Sequence, residues 1–358
     1  MHVTTQLVVL GPHRSGTSAV TGLLARMGAY VGAPEQNLPR DATNPKGFHE
    51  RVDVVAINDA LLACGAAPQW STFRPGDADD AARALFEARA RPVAGELAAH
   101  QVSVLKDPRM CLTFGLWRPL LPNPVCLLAL RNPMEVAHSL RERDGCPLVV
   151  GVAVWEHHMR QALTASEGLP RYLVDYAELV ADAGGCTARL AAQLRAQGIE
   201  GLDPGRAQGW IEPVLRHFQM ERNVLDEVLN PAQLAFYRTL CDGTALTAGS
   251  GGRLSSGAED ALLQSRAILQ VVAALRVQET RLRREVDALH VRDAHLAQLD
   301  AAIRELLDSW RWRFGNGVVD VLRAALLRPD VPQPKDVILR LLEELERVRT
   351  ESGRSHGI

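Results

Sequence analysis

This 358-residue chain lacks any run of eighteen consecutive apolar residues, so no membrane-spanning helix is expected. Its N-terminus, MHVTTQLVVLGPHRSG, lacks the basic start and long apolar stretch of a secretory signal. Close cysteine pairs are missing too: the six cysteines stand at 64, 111, 126, 146, 186 and 241, with no histidines at zinc spacing. That argues against a small disulfide scaffold and suits reduced thiols in a cytoplasm. A formal charge of -2 gives no broad electrostatic reason to expect nucleic acid as partner, so any anion site must be local.

What is present is an ordinary globular composition, 47% apolar and 23% charged, enough for one large core and an appendage. Short apolar runs at 5–10, 102–106, 125–131 and 171–175 alternate with helical patterns. This alternation predicts an α/β fold, a mostly parallel sheet with helices on both faces. A long insertion, 30–100, holds two expected helices near 50–63 and 77–99, with Trp70 and Phe73 near its middle. Selectivity for a ligand is expected there, because loops above strand ends vary with substrate. Three motifs, at 11–18, 106–109 and 131–139, follow strand ends, where open α/β sheets carry their functional groups.

Past an α/β domain of residues 1–245, the stretch 246–258 is rich in Gly, Ser and Thr and reads as a linker. A long helix follows over 259–314, with Ile268, Leu275, Leu282, Leu289, Leu296, Ile303 and Trp310 recurring every seventh residue. The second seam is polar in its middle, running Val271, Gln278, Glu285, Arg292, Leu299 and Leu306. The pattern predicts a coiled coil and a homo-oligomer, the competing reading being an amphipathic helix lying on its own domain. Residues 315–358 read as short terminal helices. Trp310 and Trp312 in SWRWRF could touch lipid headgroups or end the coil. The neighbours His157 and His158 differ by about 100° on a helix, so the pair reads as one surface and one core residue rather than a metal site.

The stretch LVVLGPHRSGTSAV, residues 7–20, has the apolar strand, the two glycines and the hydroxyl-bearing helix start of a phosphate loop. A nucleotide triphosphatase needs a lysine directly after the second glycine; here Gly16 is followed by Thr17 and Ser18, and the basic residue, Arg14, sits inside the loop. Amides converging at a helix N-terminus bind anions, so Gly11, His13, Arg14, Ser15, Gly16, Thr17 and Ser18 form an expected cradle for a ligand other than ATP or GTP. Downstream, in CLLALRNPMEVAHSL, Asn132 suits an N-cap, Pro133 the first turn and Glu135 a capping box. Ser139, two turns on from Asn132, can converge with Arg131 on one phosphate.

RSGTS after a strand resembles the 5′-phosphosulfate loop of sulfotransferases that use 3′-phosphoadenosine 5′-phosphosulfate (PAPS). Arg131 followed eight residues later by Ser139 is similar to that family's 3′-phosphate element. KDPR at 106–109 and NPKGFHE at 44–50 resemble segments of bacterial members, and GWIEPVLRH at 209–217 is a fainter match. The resemblance covers about residues 5–220 and implies a sulfotransferase fold, PAPS as co-substrate, no obligatory metal, and a hydroxyl acceptor on a cell-surface glycan or its precursor.

Moving a sulfuryl group to an alcohol needs a held donor, a base for the acceptor hydroxyl, and cations where negative charge develops. Arg14 and Lys106 are the natural cations. The resemblance favours a carboxylate or histidine soon after the first helix as base; Glu50 leads, with Asp107 and His49 as competitors. Two other classes stand beside this reading: a P-loop kinase or nucleoside triphosphatase, and a catalytically silent scaffold working through the coiled coil.

Overall fold

The computed structural model describes residues 4–40, 47–64, 73, 75–211, 229–247 and 251–314. Trp70, residues 212–217 and the terminal segment 315–358 lie outside the described residues, as do the side chains of Trp310 and Trp312. Described residues through Val272 belong to one compact unit, and those from Ala273 onward to a second.

Four parallel strands, β1 (Thr5–Leu10), β2 (Val102–Lys106), β3 (Pro124–Leu130) and β4 (Arg171–Asp175), form a sheet in the order β2-β1-β3-β4. Every residue of the first three strands is buried, which is why their sequences are near-continuous apolar runs instead of alternating ones. In β1, Val8 and Leu10 belong to the core on one face, and Leu7 and Val9 to that on the other. Register pairs Val9 with Lys106 and Leu10 with Leu128, so β1 and β2 end within one residue of each other and β3 runs two residues further.

Helices α1 (Thr17–Met27), α2 (Val52–Cys64), α3 (Asp80–Ala98), α4 (Met110–Trp117), α5 (Pro133–Asp144) and α6 (Leu148–Ala165) follow the first three strands. After β4 come α7 (Tyr176–Ala181), α8 (Ala183–Ala196), α9 (Pro231–Cys241), α10 (Thr244–Thr247) and the long α11 (Ser256–Phe314). Local chemistry accounts for several boundaries. Gly28 ends α1 in the left-handed conformation, its N–H reaching the carbonyls of Ala25 and Leu24. The Asp79 carboxylate accepts from the Ala82 amide to start α3.

The first part of the insertion is braced against its last helix, α3. The Arg51 guanidinium reaches both oxygens of Glu96 at 2.7 and 2.8 Å and pairs with Asp53 at 2.8 Å, while the Tyr30 hydroxyl donates to Glu96 at 2.5 Å. The Arg51 hydrogen bond holds the Glu96 carboxyl down to about 2. Phe73, near the middle of the insertion expected to set selectivity, is 2% exposed within the core. An aromatic ring in a loop reads identically in sequence whether it faces a ligand or fills a gap under the insertion.

His157 and His158 are both buried, correcting the one-in, one-out expectation. Helix α6 is covered on nearly all sides, with every residue from Val150 to Met159 buried, so no face is left for a surface histidine. The fully buried Glu156 carboxylate accepts from Arg160 at 2.9 Å and from the amide and hydroxyl of Ser255 at 2.9 and 2.7 Å. Arg160 also donates to the Gly251 carbonyl at 2.7 Å, and Ala258 and Leu262 are buried beyond. Ending the chain at residue 245 should therefore leave a buried carboxylate short of partners. The loss is about 2 kcal/mol, read as a Tm about 4–8 °C lower for a chain of this size. Ending it after Val272 should preserve Tm; equal melting of the two truncations would reduce residues 251–262 to a tether.

Candidate active site

The carboxyl ends of all four strands contribute to one place. β1 runs into the loop 11–16, β2 ends in Lys106, β3 is followed by Arg131, and β4 by Asp175 and Tyr176. In the loop, Arg14 has φ 68° and Gly16 φ 93°. At Gly16 an added Cβ would also lie 2.3 Å from the Tyr176 ring, so only glycine fits there. The Ser15 hydroxyl and His13 Nε2 are buried and have no hydrogen-bond partner among the described residues. Such orphaned atoms beside a helix N-terminus suit a bound anion. Burial, then the charges of Arg143 and Arg109, hold the His13 imidazole well below its ordinary pKa.

The two separated motifs meet. Arg14 Nε donates to Ser139 Oγ at 2.7 Å, and Arg131 Nη1 donates to the Arg14 carbonyl at 2.9 Å. Arg131 is also fixed by Glu135 at 2.9 Å and lies over the Tyr176 ring, 4.8 Å from its centroid. The helix bearing Ser139 begins where its sequence dictates: Asn132 Oδ1 accepts from the Met134 and Glu135 amides, and Pro133 occupies the first turn. Glu135, at the capping-box position, turns its carboxylate to Arg131. Burial, followed by the neighbouring charges of Arg143 and Arg131, lowers the pKa of Arg14, a sign of cations crowded together.

The cation missing after Gly16 comes from the adjoining strand. Lys106 Nζ donates to Ser18 Oγ at 2.9 Å, to the Phe48 carbonyl at 2.8 Å and to Glu50 Oε1 at 2.6 Å. Those three acceptors use all three ammonium hydrogens. Glu50 is delivered by a turn in which Gly47 and His49 both have positive φ, 96° and 52°, and the Leu38 amide secures its carbonyl at 2.8 Å.

The competitors for the base are placed differently. Asp107 is fully buried, Oδ1 taken by the Arg109 amide and guanidinium and Oδ2 by Asn58 Nδ2 at 2.9 Å. Asn58 in turn accepts from Thr113 and Trp117, so this carboxylate braces α2 against α4. His49 packs edge-on to Trp210 with Nε2 turned toward Gly22, where an added Cβ would stand 2.9 Å away. Burial, then the charge of Lys106, brings its pKa down to about 4. Arg26 lies over the other part of this cluster, 4.7 Å from the Trp210 ring centroid.

Tyr176 and Arg143 escaped the sequence reading. The position of Tyr176 directly after the fourth strand is the signal that could have found it; Arg143 carries none, since only the packing of α5 brings it near the loop. Among the described residues no group of three or more His, Cys, Asp or Glu is placed to hold a metal ion, and no helix is long and apolar enough to cross a membrane.

No protein-family model matches the chain, and no curated protein matches it. Solved structures do. The sulfotransferase domain from the curacin biosynthetic pathway is 15% identical, the match covering 74% of this chain and 98% of that one, with a TM-score of 0.35. The sulfotransferase STF9 from Mycobacterium avium is 16% identical over 68% of this chain and 77% of that one, with a TM-score of 0.36. STF1 from Mycobacterium tuberculosis H37Rv is 15% identical over 65% and 77%, with a TM-score of 0.34. At this degree of superposition the functional reading rests on the residues of the site.

Proposed function

We propose that the chain transfers a sulfuryl group from PAPS to an acceptor hydroxyl. One observation carries the reading: Arg14, in the loop after β1, and Ser139, in the helix after β3, are in contact, with Arg131 bound to the same loop. A triphosphate site needs only the loop. A nucleoside with an anionic group on each side of its ribose needs a second grip, which Arg131 and Ser139 would supply through paired guanidinium and hydroxyl bonds. The loop amides with Arg14, Ser15, Thr17 and Ser18 would hold the phosphosulfate.

In this reading the acceptor oxygen forms a bond to sulfur as the bond from sulfur to the bridging phosphate oxygen breaks. Glu50 takes the acceptor proton, and Lys106, exchanging one of its present acceptors, meets the charge left on the bridging oxygen. Asp107 keeps Arg109 and α4 in place, and His49 packs behind the turn that aims Glu50. No metal is required, because Arg14, Lys106 and Arg131 already neutralise the donor.

The acceptor class, a glycan hydroxyl, comes from the resemblance of residues 44–50 and 106–109 to bacterial enzymes. A cytoplasmic location is supported by the free thiols of Cys111, Cys126, Cys146 and Cys186. Self-association through α11 is supported by its heptads.

Thermal unfolding tests the donor. Adenosine 3′,5′-bisphosphate at a hundred times its Kd should stabilise the protein by about 2.7 kcal/mol and raise Tm, while magnesium and ATP should do little. Stabilisation by ATP with no response to the bisphosphate would assign the site to a phosphotransferase.

A further inference from the structure

The described part of α11 carries an apolar residue at every seventh position, Leu282, Leu289, Leu296 and Ile303. The side chains of Leu282 and Leu289 are 60% and 52% exposed. A single helix of this length gains little from propensity alone, and a seven-residue apolar repeat is the pattern by which helices cover one another. The positions that complete the seam are not apolar in the middle: Gln278, Glu285 and Arg292 precede Leu299, and the first three are exposed. This polar interval decides how two helices can lie together.

In a parallel, in-register pair each seam position meets itself. Glu285 would face Glu285 of the second copy, and one heptad later Arg292 would face Arg292, two successive layers of like charge. Flanking pairs do not compensate, because Arg281 would meet Val286, and Ala288 would meet Asp293. Turning one helix around changes each layer, since leucine positions then meet the polar seam of the other copy. With a two-fold axis level with Asp287, Glu285 lies across from Leu289 of the second copy, Arg292 across from Leu282, and Gln278 across from Leu296. Glu285 is then about 5 Å along the axis from Arg292 of the second copy, three residues at the helical rise. Val286, 50% exposed, meets its own copy beside the axis. Within one helix Arg281 already pairs with Glu285 at 3.0 Å, which lies along the flank of the seam.

We propose that α11 pairs antiparallel with a second copy of this chain, the Glu285 and Arg292 side chains of the two copies forming reciprocal ion pairs across the axis. The proposal rests on the reading that α11 self-associates and adds its orientation. Sedimentation of the full chain should show a dimer. Glu285→Arg and Arg292→Glu should each weaken it about tenfold, and the double reversal should restore it, because only the antiparallel pair couples the two positions. Under mild oxidation, Gln278→Cys mixed with Leu296→Cys should cross-link beyond the background of the parent chain, and Leu296→Cys alone should not. A dimer that ignores the charge reversals and cross-links through Leu296→Cys alone overturns the orientation but keeps self-association. A monomeric parent chain overturns both.

Discussion

Replacing Lys106 with methionine is expected to lower unfolding stability by about 3–5 kcal/mol, because the Glu50 carboxylate stays buried and loses the ammonium that compensates it. Glu50 is 7% exposed and Lys106 3%, so water cannot take over that role. Adding Glu50→Gln removes the stranded charge and should recover most of the loss, an interaction between neighbours that a double-mutant cycle reads directly. Transfer should not recover: both variants lack the cation proposed for the bridging oxygen and should be down by about 10²–10³-fold. Glu50→Gln alone should lose turnover and keep bisphosphate affinity. Chemical unfolding of the three proteins, with sulfation of an acceptor mixture measured in parallel, separates the two roles. If the double variant is no more stable than Lys106→Met, the pair is not the coupling that holds this corner together. If Glu50→Gln turns over normally, the base lies elsewhere.

A second large effect is expected at Arg131. Lysine there keeps the charge but loses the fork that can grip a phosphate while bonding the Arg14 carbonyl. Arg131→Lys should weaken adenosine 3′,5′-bisphosphate binding about 100-fold, the equivalent of one charge-assisted hydrogen bond of about 2.7 kcal/mol. Adenosine 5′-phosphate, which has no 3′ group to lose, should be affected far less. Calorimetric titration of both nucleotides distinguishes a residue that binds phosphate from one that merely props the loop, because the latter would weaken both ligands alike. Arg131 does have a structural task, stacked on Tyr176 and tied to Glu135, and the contrast between ligands is what would isolate the binding role proposed for it.

Much of the sheet was readable in the chain because burial on both faces writes itself as uninterrupted apolar runs: VVL in β1 and VCLLAL in β3 have no polar alternation to confuse them. The helix carrying Ser139 was equally legible, since Asn132 and Pro133 act on amides only a few residues away. For the same reason the spacing of Arg131 and Ser139 and the glycines of the loop could be read locally, and they carry the anion site proposed above. These are local effects, in which residue type and sequence distance suffice.

What required the folded chain were the encounters between segments far apart in sequence. Nothing in KDPR or NPKGFHE says that Lys106 will spend its three hydrogens on Ser18, Phe48 and Glu50, or that Asp107 will be sealed between Arg109 and Asn58. A glycine- and serine-rich stretch reads as flexible, yet Ser255 is drawn onto the buried Glu156 because a carboxylate out of water needs donors and the segment leading into α11 supplies them. His157 and His158 share a fate that helical geometry would have divided, since neighbouring elements cover both sides of α6. Local sequence chooses the pieces; which polar groups must satisfy one another is decided only when the pieces close and exclude solvent.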